Sequence, residues 1–249
     1  MRAVRGAMAA ARSRQRTSTP PGSHPVSSSA ARNRLRCARM AGTSLDLVLV
    51  RHGVTDWNEN GRLLGRTPIA INQRGRKQAE AVAAALVGLP VRRIFVSPQR
   101  RTQETAEPIA QALGASVATE PALDEVWLGE RWQGKTFDEI RHDPDIWHVL
   151  RDPTYACDVI EPACAVRDRV VAFVETLRAH HEPEIVVLVS HGDPLRVLVC
   201  HYLGMPLGAF RALTISNGSV STLRFEKLGP SLRVLNYLPA AGSLKTVAP

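Results

Sequence analysis

Between positions 45 and 238, short continuous apolar runs alternate with segments in which apolar residues recur at helical spacing. Short apolar runs predict strands at 45–50, 93–96, around 117, at 185–189, 220–225 and 232–238. Apolar positions that recur at i, i+3, i+4 and i+7 predict helices over about 74–86, 102–113, 166–177 and 195–203. Strands that alternate with helices in this way predict an α/β fold: a mostly parallel sheet of about six strands with helices on both faces.

Turn-forming residues stand at the ends of these predicted helices. Gly88 and Gly114 follow the first two helices, where a residue without a side chain commonly ends a helix. Ser97 and Pro98 precede the second helix, and we expect Ser97 to cap its first turn.

The stretch from Thr136 to Pro162 follows neither spacing. It is polar, with scattered Trp, His and Pro, and begins with a capping-box pattern at Thr136 and Glu139. We expect an insertion that lies over the functional site rather than a part of the sheet.

Charge is distributed very unevenly. The net charge of +9 comes from 32 basic and 23 acidic residues, and positions 1–45 hold nine arginines and no Asp, Glu or Lys. Without those nine the body is formally neutral, so the basic balance is no argument that it binds nucleic acid. We predict a tail without fixed structure at 1–44, a single folded domain at 45–240 and a flexible C-terminus at 241–249. The tail has the composition of an organelle transit peptide, but translation from a start upstream of Met40 is the reading we favour.

The cysteine pattern and the absence of a long apolar run indicate the cellular compartment of the protein. No CxxC pair occurs, so neither a zinc site nor a disulfide framework is indicated, and we expect a reducing, cytoplasmic compartment. No run approaches the roughly 18 apolar residues of a membrane span, so we expect no membrane partner. The oligomeric state stays open, with a homodimer as one option.

Two predicted strands end in the same way, in Arg51-His52-Gly53 and in Ser190-His191-Gly192. Ligands of open α/β sheets bind beyond the carboxyl ends of the strands, so both imidazoles could share one crevice. One such histidine alone would more often be an ordinary loop residue. The glycines let the backbone approach a ligand, and the helix that starts at Asp193-Pro194 favours an anion such as a phosphoryl group. A third strand end adds the guanidinium of Arg101.

Positions 51–58 (RHGVTDWN) closely resemble the signature of the histidine phosphatase superfamily, which is phosphoglycerate mutase-like in fold. Ser97…Arg101…Thr105-Ala106 and positions 189–192 resemble its further motifs, in the family order. The resemblance implies that His52 is the phosphorylated nucleophile. It further implies four phosphate-binding residues: Arg51, Asn58, Arg101 and His191. We add Gly192 because it precedes the helix start that favours an anion.

The family's proton donor corresponds to Glu125. The following segment, 129–134, is one residue longer than the family spacing, so Asp124 is the fallback.

These residue types suit phosphoryl transfer without a metal. Two arginines and a protonated His191 would offset the phosphoryl charge, and the same positive charge would keep His52 neutral for attack. Glu125 would protonate the leaving alkoxide and then activate water. The sequence shows no ligand cluster for a metal, and we expect no cofactor.

Hydrolysis is the favoured net reaction. The interval from Glu125 to His191 is shorter than in the family's mutases, and 149–156 lacks their basic and aromatic substrate residues. Glu161 and Asp193-Pro194 resemble features of the phosphatase branch. We therefore expect a phosphomonoesterase that acts on a small phosphorylated metabolite; the alternatives are a cofactor-dependent phosphoglycerate mutase and a non-catalytic phosphate-binding module.

Several other residues receive structural interpretations. Trp127, Trp132 and Trp147 either line a substrate pocket or pack. Arg196 is expected to be structural or solvated, and Cys200 to pack in the core. Four further histidines are expected at the surface: His142, His148, His180 and His181.

Overall fold

The structure is a computed structural model that describes residues 44–179 and 184–239. The predictions for the tail, for the C-terminus and for His180 and His181 lie outside the described residues, apart from Ser44 at the end of the tail.

Six strands and seven α-helices make up the described part of the chain. The strands are β1 (Leu45–Arg51), β2 (Val91–Val96), β3 (Ser116–Thr119), β4 (Glu184–Ser190), β5 (Val220–Glu226) and β6 (Gly229–Tyr237). The helices are α1 (Asp56–Glu59), α2 (Gln73–Leu86), α3 (Arg100–Leu113), α4 (Phe137–Ile140), α5 (Ile146–Arg151), α6 (Ala163–Arg178) and α7 (Gly192–Tyr202). All six predicted strands and four predicted helices are therefore confirmed to within a few residues.

The strands form one sheet in the order β3-β2-β4-β1-β5-β6. The pairs β3–β2, β2–β4 and β4–β1 are parallel, whereas β1–β5 and β5–β6 are antiparallel. The mostly parallel sheet of the sequence analysis is confirmed. The parallel neighbours β1 and β4 lie at its centre, so their carboxyl ends meet at one edge.

Helices cover both faces of this sheet, as predicted. Val82 and Leu86 of α2 pack with Ile109 of α3 against one face. Val174 of α6 and Leu198 of α7 pack against the other. Because the central strands are buried on both faces, their sequences are almost uninterrupted apolar runs rather than alternating ones.

The stretch 136–162 is helical where it is regular. Thr136 and Glu139 form the predicted capping box at the start of α4, and α5 follows. Ile140 and Val149 of these helices pack with Trp132 in a third apolar cluster. Among its described residues the stretch makes only isolated bridges to other segments, so its exclusion from the sheet is confirmed.

Two local predictions are wrong. Helix α3 starts at Arg100 with Gln99 as its N-cap residue, later than expected, and no side chain caps it. The Ser97 hydroxyl precedes the cap position, where it contacts His191 Nε2 at 2.7 Å and accepts from the Gln99 amide at 3.3 Å. Gly53 was expected to let the backbone approach a ligand, but it meets helix α2: a Cβ there would lie 2.5 Å from the Gly75 carbonyl oxygen. The glycine therefore serves a close contact between backbones.

Candidate active site

The ends of β1 and β4 bring His52 and His191 together. Arg51 and Ser190 are partners in the last register of the parallel pair, and the His52 amide donates to the Ser190 carbonyl at 3.0 Å. The two imidazole centroids lie 5.1 Å apart. The predicted convergence of the two strand ends on one place is confirmed.

His52 is held as one neutral tautomer. Its Nδ1 lies 2.8 Å from the Gly53 carbonyl oxygen, which can only accept, so Nδ1 carries the proton and Nε2 keeps its lone pair. Burial, followed by the charges of Arg101 and Arg51, holds the pKa of His52 well below its ordinary value. Both observations favour the neutral His52 expected from the sequence.

Arg101 reaches this place from the first turn of α3 and is completely buried. Its two terminal nitrogens donate to the carbonyl oxygens of Thr67 at 2.9 Å and Gly65 at 2.7 Å, and its Nε donates to His191 Nδ1 at 3.2 Å. Burial lowers the pKa of Arg101 to about 10, so the guanidinium stays charged at neutral pH. A cation is thus fixed next to both imidazoles.

The surroundings of His191 favour a neutral ring, whereas the sequence analysis expected a protonated one. Its Nδ1 accepts from Arg101, so the ring proton is on Nε2, 2.7 Å from the Ser97 hydroxyl oxygen. Burial first, and then the charge of Arg101, holds the pKa of His191 well below its ordinary value. The positive charge of the site therefore comes from Arg51 and Arg101.

The two candidate acids have different surroundings. Asp124 accepts from Ser97 Oγ at 3.3 Å and Gln99 Nε2 at 3.2 Å, and its Oδ2 lies 3.3 Å from Arg66 Nε. Glu125 instead places Oε2 at 3.9 Å from His191 Nδ1 and lines the cavity above the histidines. Burial, and then the negative charge of Asp193, raises the pKa of Glu125 to about 7. Its position and its pKa favour Glu125 over the fallback.

Two arginines that the sequence analysis missed hold the backbone at Glu125. Its carbonyl oxygen accepts from Arg66 Nε at 3.0 Å and from Arg169 at 3.2 Å. Glu161 pairs with both guanidinium groups, at 3.0 and 2.9 Å. Glu161 thus supports the candidate acid from behind, and no local sequence pattern marked its arginine partners.

Asn58 and Arg51 complete the floor of the site. Asn58 Oδ1 accepts from the Thr55 amide and from Asn217 Nδ2, both at 3.2 Å, which leaves the Asn58 amino group for a ligand. Arg51 donates to the Ile215 carbonyl at 2.6 Å, and its buried Nε has no hydrogen-bond partner among the described residues. Asn217 also donates to the His52 carbonyl at 3.2 Å; from sequence, its Asn-Gly dipeptide indicates only a turn.

A cavity of about 270 Å³ opens above this floor. Arg51, His52, Asn58, Glu125 and Gly192 line its base. Arg101 and His191 lie beneath, completely buried. The structure thus brings every predicted site residue to one place.

The structure also shows where the tryptophans, Arg196 and the other residues with structural interpretations lie. Trp132 is buried and lines the cavity, whereas Trp127 and Trp147 are exposed and do not. Arg196 also lines it while pairing with Asp193 at 2.9 Å, so it is not merely solvated. His142 and His148 are exposed and Cys200 is buried, as predicted.

Within residues 44–179 and 184–239, no group of three or more His, Cys, Asp or Glu side chains is arranged to hold a metal ion. No helix in the same residues is both long and apolar enough to cross a membrane.

The central strand ends of this α/β sheet present two histidines beside Arg51, the buried Arg101 and a carboxyl group of raised pKa. Such a set has the chemistry to bind a phosphoryl group and to exchange protons with it. Residues 47–238 match the sequence model of the "Histidine phosphatase superfamily (branch 1)". The chain belongs to this superfamily, and the resemblance of the sequence motifs is confirmed.

Similar proteins bear names of two activities. Phosphoserine phosphatase 1 of Hydrogenobacter thermophilus is 33% identical over 184 residues, which cover 73% of this chain and 87% of that protein. A protein of Erwinia tasmaniensis named "Probable phosphoglycerate mutase GpmB" is also 33% identical, over 186 residues that cover 74% and 86%.

Solved structures share the fold. A mycobacterial glucosyl-3-phosphoglycerate phosphatase superposes with a TM-score of 0.69 at 29% identity, covering 78% of this chain and 99% of that one. A phosphoserine phosphatase of Entamoeba histolytica, in complex with 3-phosphoglyceric acid, has a TM-score of 0.69 at 26% identity and covers 77% and 96%. The phosphoglycerate mutase-like architecture is therefore confirmed.

Proposed function

We propose that this protein is a phosphomonoesterase that hydrolyses small phosphorylated metabolites through a phosphohistidine at His52. The observation that carries the proposal is the His52 ring: its Nδ1 proton is bound by the Gly53 carbonyl, so an unprotonated Nε2 is available beside two guanidinium groups. A neutral, oriented imidazole next to fixed cations is what nucleophilic attack on a phosphoryl group requires.

In the first step the phosphoryl oxygens bind Arg51, Arg101 and the amino group of Asn58. His52 Nε2 attacks phosphorus, the P–N bond forms and the P–O bond to the alcohol breaks. Glu125 donates its proton to the leaving oxygen. Its pKa of about 7 keeps a large share of this carboxyl group protonated at neutral pH.

In the second step Glu125, now a carboxylate, takes a proton from water. The water oxygen attacks phosphorus, the P–N bond breaks, inorganic phosphate leaves and Glu125 is protonated again. His52 returns to its neutral tautomer because the Gly53 carbonyl holds its Nδ1 proton throughout. No step needs a metal ion.

Two observations support hydrolysis over the phosphoglycerate mutase reaction. Several relatives are named as phosphatases, and the interval between Glu125 and His191 is short. The relative named as a mutase makes this alternative the one to test.

A phosphate-release assay over phosphorylated metabolites, with EDTA and with His52→Ala in parallel, tests the proposal. We expect release that survives EDTA and disappears in the variant. Release that His52→Ala retains would overturn the nucleophile, and no release from any ester would favour a binding module.

A parallel reaction with 3-phosphoglycerate, with and without the bisphosphate primer, tests the mutase alternative. Rapid formation of 2-phosphoglycerate with negligible free phosphate would overturn hydrolysis.

The proposal has two further parts: a cytoplasmic location and a homodimer. Cell fractionation tests the first, and light scattering on the purified chain tests the second.

A further inference from the structure

The cavity above the site has an apolar wall that the proposed chemistry does not use. Phe137 and Ile140 of α4 contribute to it, together with Val149 and Leu150 of α5, and Leu63 also lines the cavity. The volume of about 270 Å³ is slightly below the roughly 300–1,000 Å³ typical of small-molecule sites. Beyond the phosphoryl group, a ligand would therefore contact mainly carbon.

Two of the arginines in the cavity wall are already paired with protein carboxylates. Arg62 lies 3.5 Å from Glu139, and Arg196 pairs with Asp193 at 2.9 Å. A substrate carboxylate would have to compete with these protein carboxylates. The guanidinium of a third arginine, Arg211, lies over the ring of Phe210, 4.4 Å from its centroid.

Phe137 is the exposed part of this wall. The residue is 48% exposed although it lines the cavity, so part of an aromatic ring is left to water. A ligand with an apolar body would remove that surface from water, which a small polar metabolite would do less well.

We propose that the substrate is a phosphomonoester of a bulky apolar alcohol, taken in preference to carboxylated esters such as phosphoserine. This inference rests on the proposed function: the phosphoryl group lies at His52 and the alcohol extends along the wall of α4 and α5. The helices between 136 and 162 then determine specificity.

A series of n-alkyl phosphates from ethyl to hexyl tests the wall directly. The leaving alcohols have nearly the same acidity, so differences in kcat/KM report binding of the chain rather than chemistry. Burial of a methylene group gives a gain of roughly threefold to fourfold, so we expect kcat/KM to rise by about that factor per carbon until the cavity is filled. Phosphoserine should be a poorer substrate than hexyl phosphate.

Phe137→Ala and Trp147→Ala form a matched pair of variants. Both residues are about half exposed in neighbouring short helices, but only Phe137 lines the cavity. We expect Phe137→Ala to lower kcat/KM for hexyl phosphate by about threefold to tenfold and to leave ethyl phosphate within about twofold. Trp147→Ala should change neither.

Failure of this inference is distinguishable from failure of the proposed function. Phosphate release that is independent of chain length, or highest with phosphoserine, would overturn the apolar substrate while leaving a His52-dependent phosphatase. A chain-length effect that Phe137→Ala does not reduce would overturn the assignment to this wall. Absence of release from every ester would instead contradict the proposed function.

Discussion

Asp124 and Glu125 are adjacent in the chain and chemically similar, yet their surroundings separate them. Asp124 accepts hydrogen bonds from Ser97 and Gln99 and so serves the hydrogen-bond network beneath His191. Glu125 has a carboxylate oxygen 3.9 Å from His191 and a pKa raised to about 7 by burial. The sequence could place the acid within two residues, but only tertiary contacts distinguish them.

Replacement of Glu125 by Gln should remove the proton donor. For an alkyl phosphate, whose leaving group needs that proton, we expect kcat/KM to fall by about 10²-fold to 10⁴-fold. The loss in phosphoenzyme formation from p-nitrophenyl phosphate should be much smaller, because p-nitrophenolate leaves without protonation. Stopped-flow release of nitrophenol and steady-state phosphate release measure the two reactions.

The raised pKa of Glu125 also predicts how the cleavage of alkyl esters depends on pH. Because the raised pKa leaves Glu125 protonated below about pH 7, cleavage of alkyl esters should decline as the pH rises through that value. The decline should be absent in Glu125→Gln and present in a Glu80→Gln control on the exposed side of α2. An unchanged profile in Glu125→Gln would assign the decline to another group.

At the scale of elements, close packing between the β1 loop and α2 depends on Gly53. A Cβ at this position would lie 2.5 Å from the Gly75 carbonyl oxygen, a backbone atom that cannot rotate away. The sequence motif attracts a functional interpretation of this glycine, whereas the structure gives it a packing role.

Gly53→Ala should therefore destabilise the fold by about 1–3 kcal/mol, the usual cost of forced overpacking. Gly208→Ala is the matched control, because a Cβ there meets nothing within 4 Å, and we expect it to stay within about 0.5 kcal/mol. Urea unfolding of the three proteins measures both values. Equal midpoints for Gly53→Ala and the unchanged protein would contradict the packing argument.

The elements that could be predicted from sequence are those with a continuous apolar run or a sustained helical period. β4 is buried on both faces and shows such a run, whereas α3 buries one face and shows the helical spacing. The four-residue helix α1 is too short to show a period and was not predicted. The role of Ser97 was mistaken because its partner His191 lies far away in the sequence, so that this contact exists only in the folded chain.

At the scale of the whole molecule, the positive charge and the candidate chemistry occupy different parts of the chain. Every residue assigned to the site lies between Arg51 and Asn217, whereas nine arginines precede position 45. Outside that segment the acidic and basic residues are equal in number. Catalysis and any contact with nucleic acid are therefore expected to be separable.

A chain that starts at Met40 tests this separation. We expect its melting temperature and its kcat/KM to equal those of the full chain, because β1 and all site residues are retained. Any salt-dependent retention of DNA by the full chain should be lost, since that attraction requires clustered cations. A lower melting temperature would show that the removed residues contribute to the fold, and DNA retention by the shorter chain would locate that binding in the body.

The most direct test of the account is to trap the phosphorylated enzyme. The unchanged protein and Glu125→Gln are mixed with p-nitrophenyl phosphate, quenched within milliseconds and digested, and the modified residue is located by mass spectrometry. We expect an acid-labile, alkali-stable phosphoryl group on His52, which persists longer in Glu125→Gln because hydrolysis of the intermediate has lost its base. Turnover without any phosphorylated intermediate, or a phosphoryl group on another residue, would contradict it.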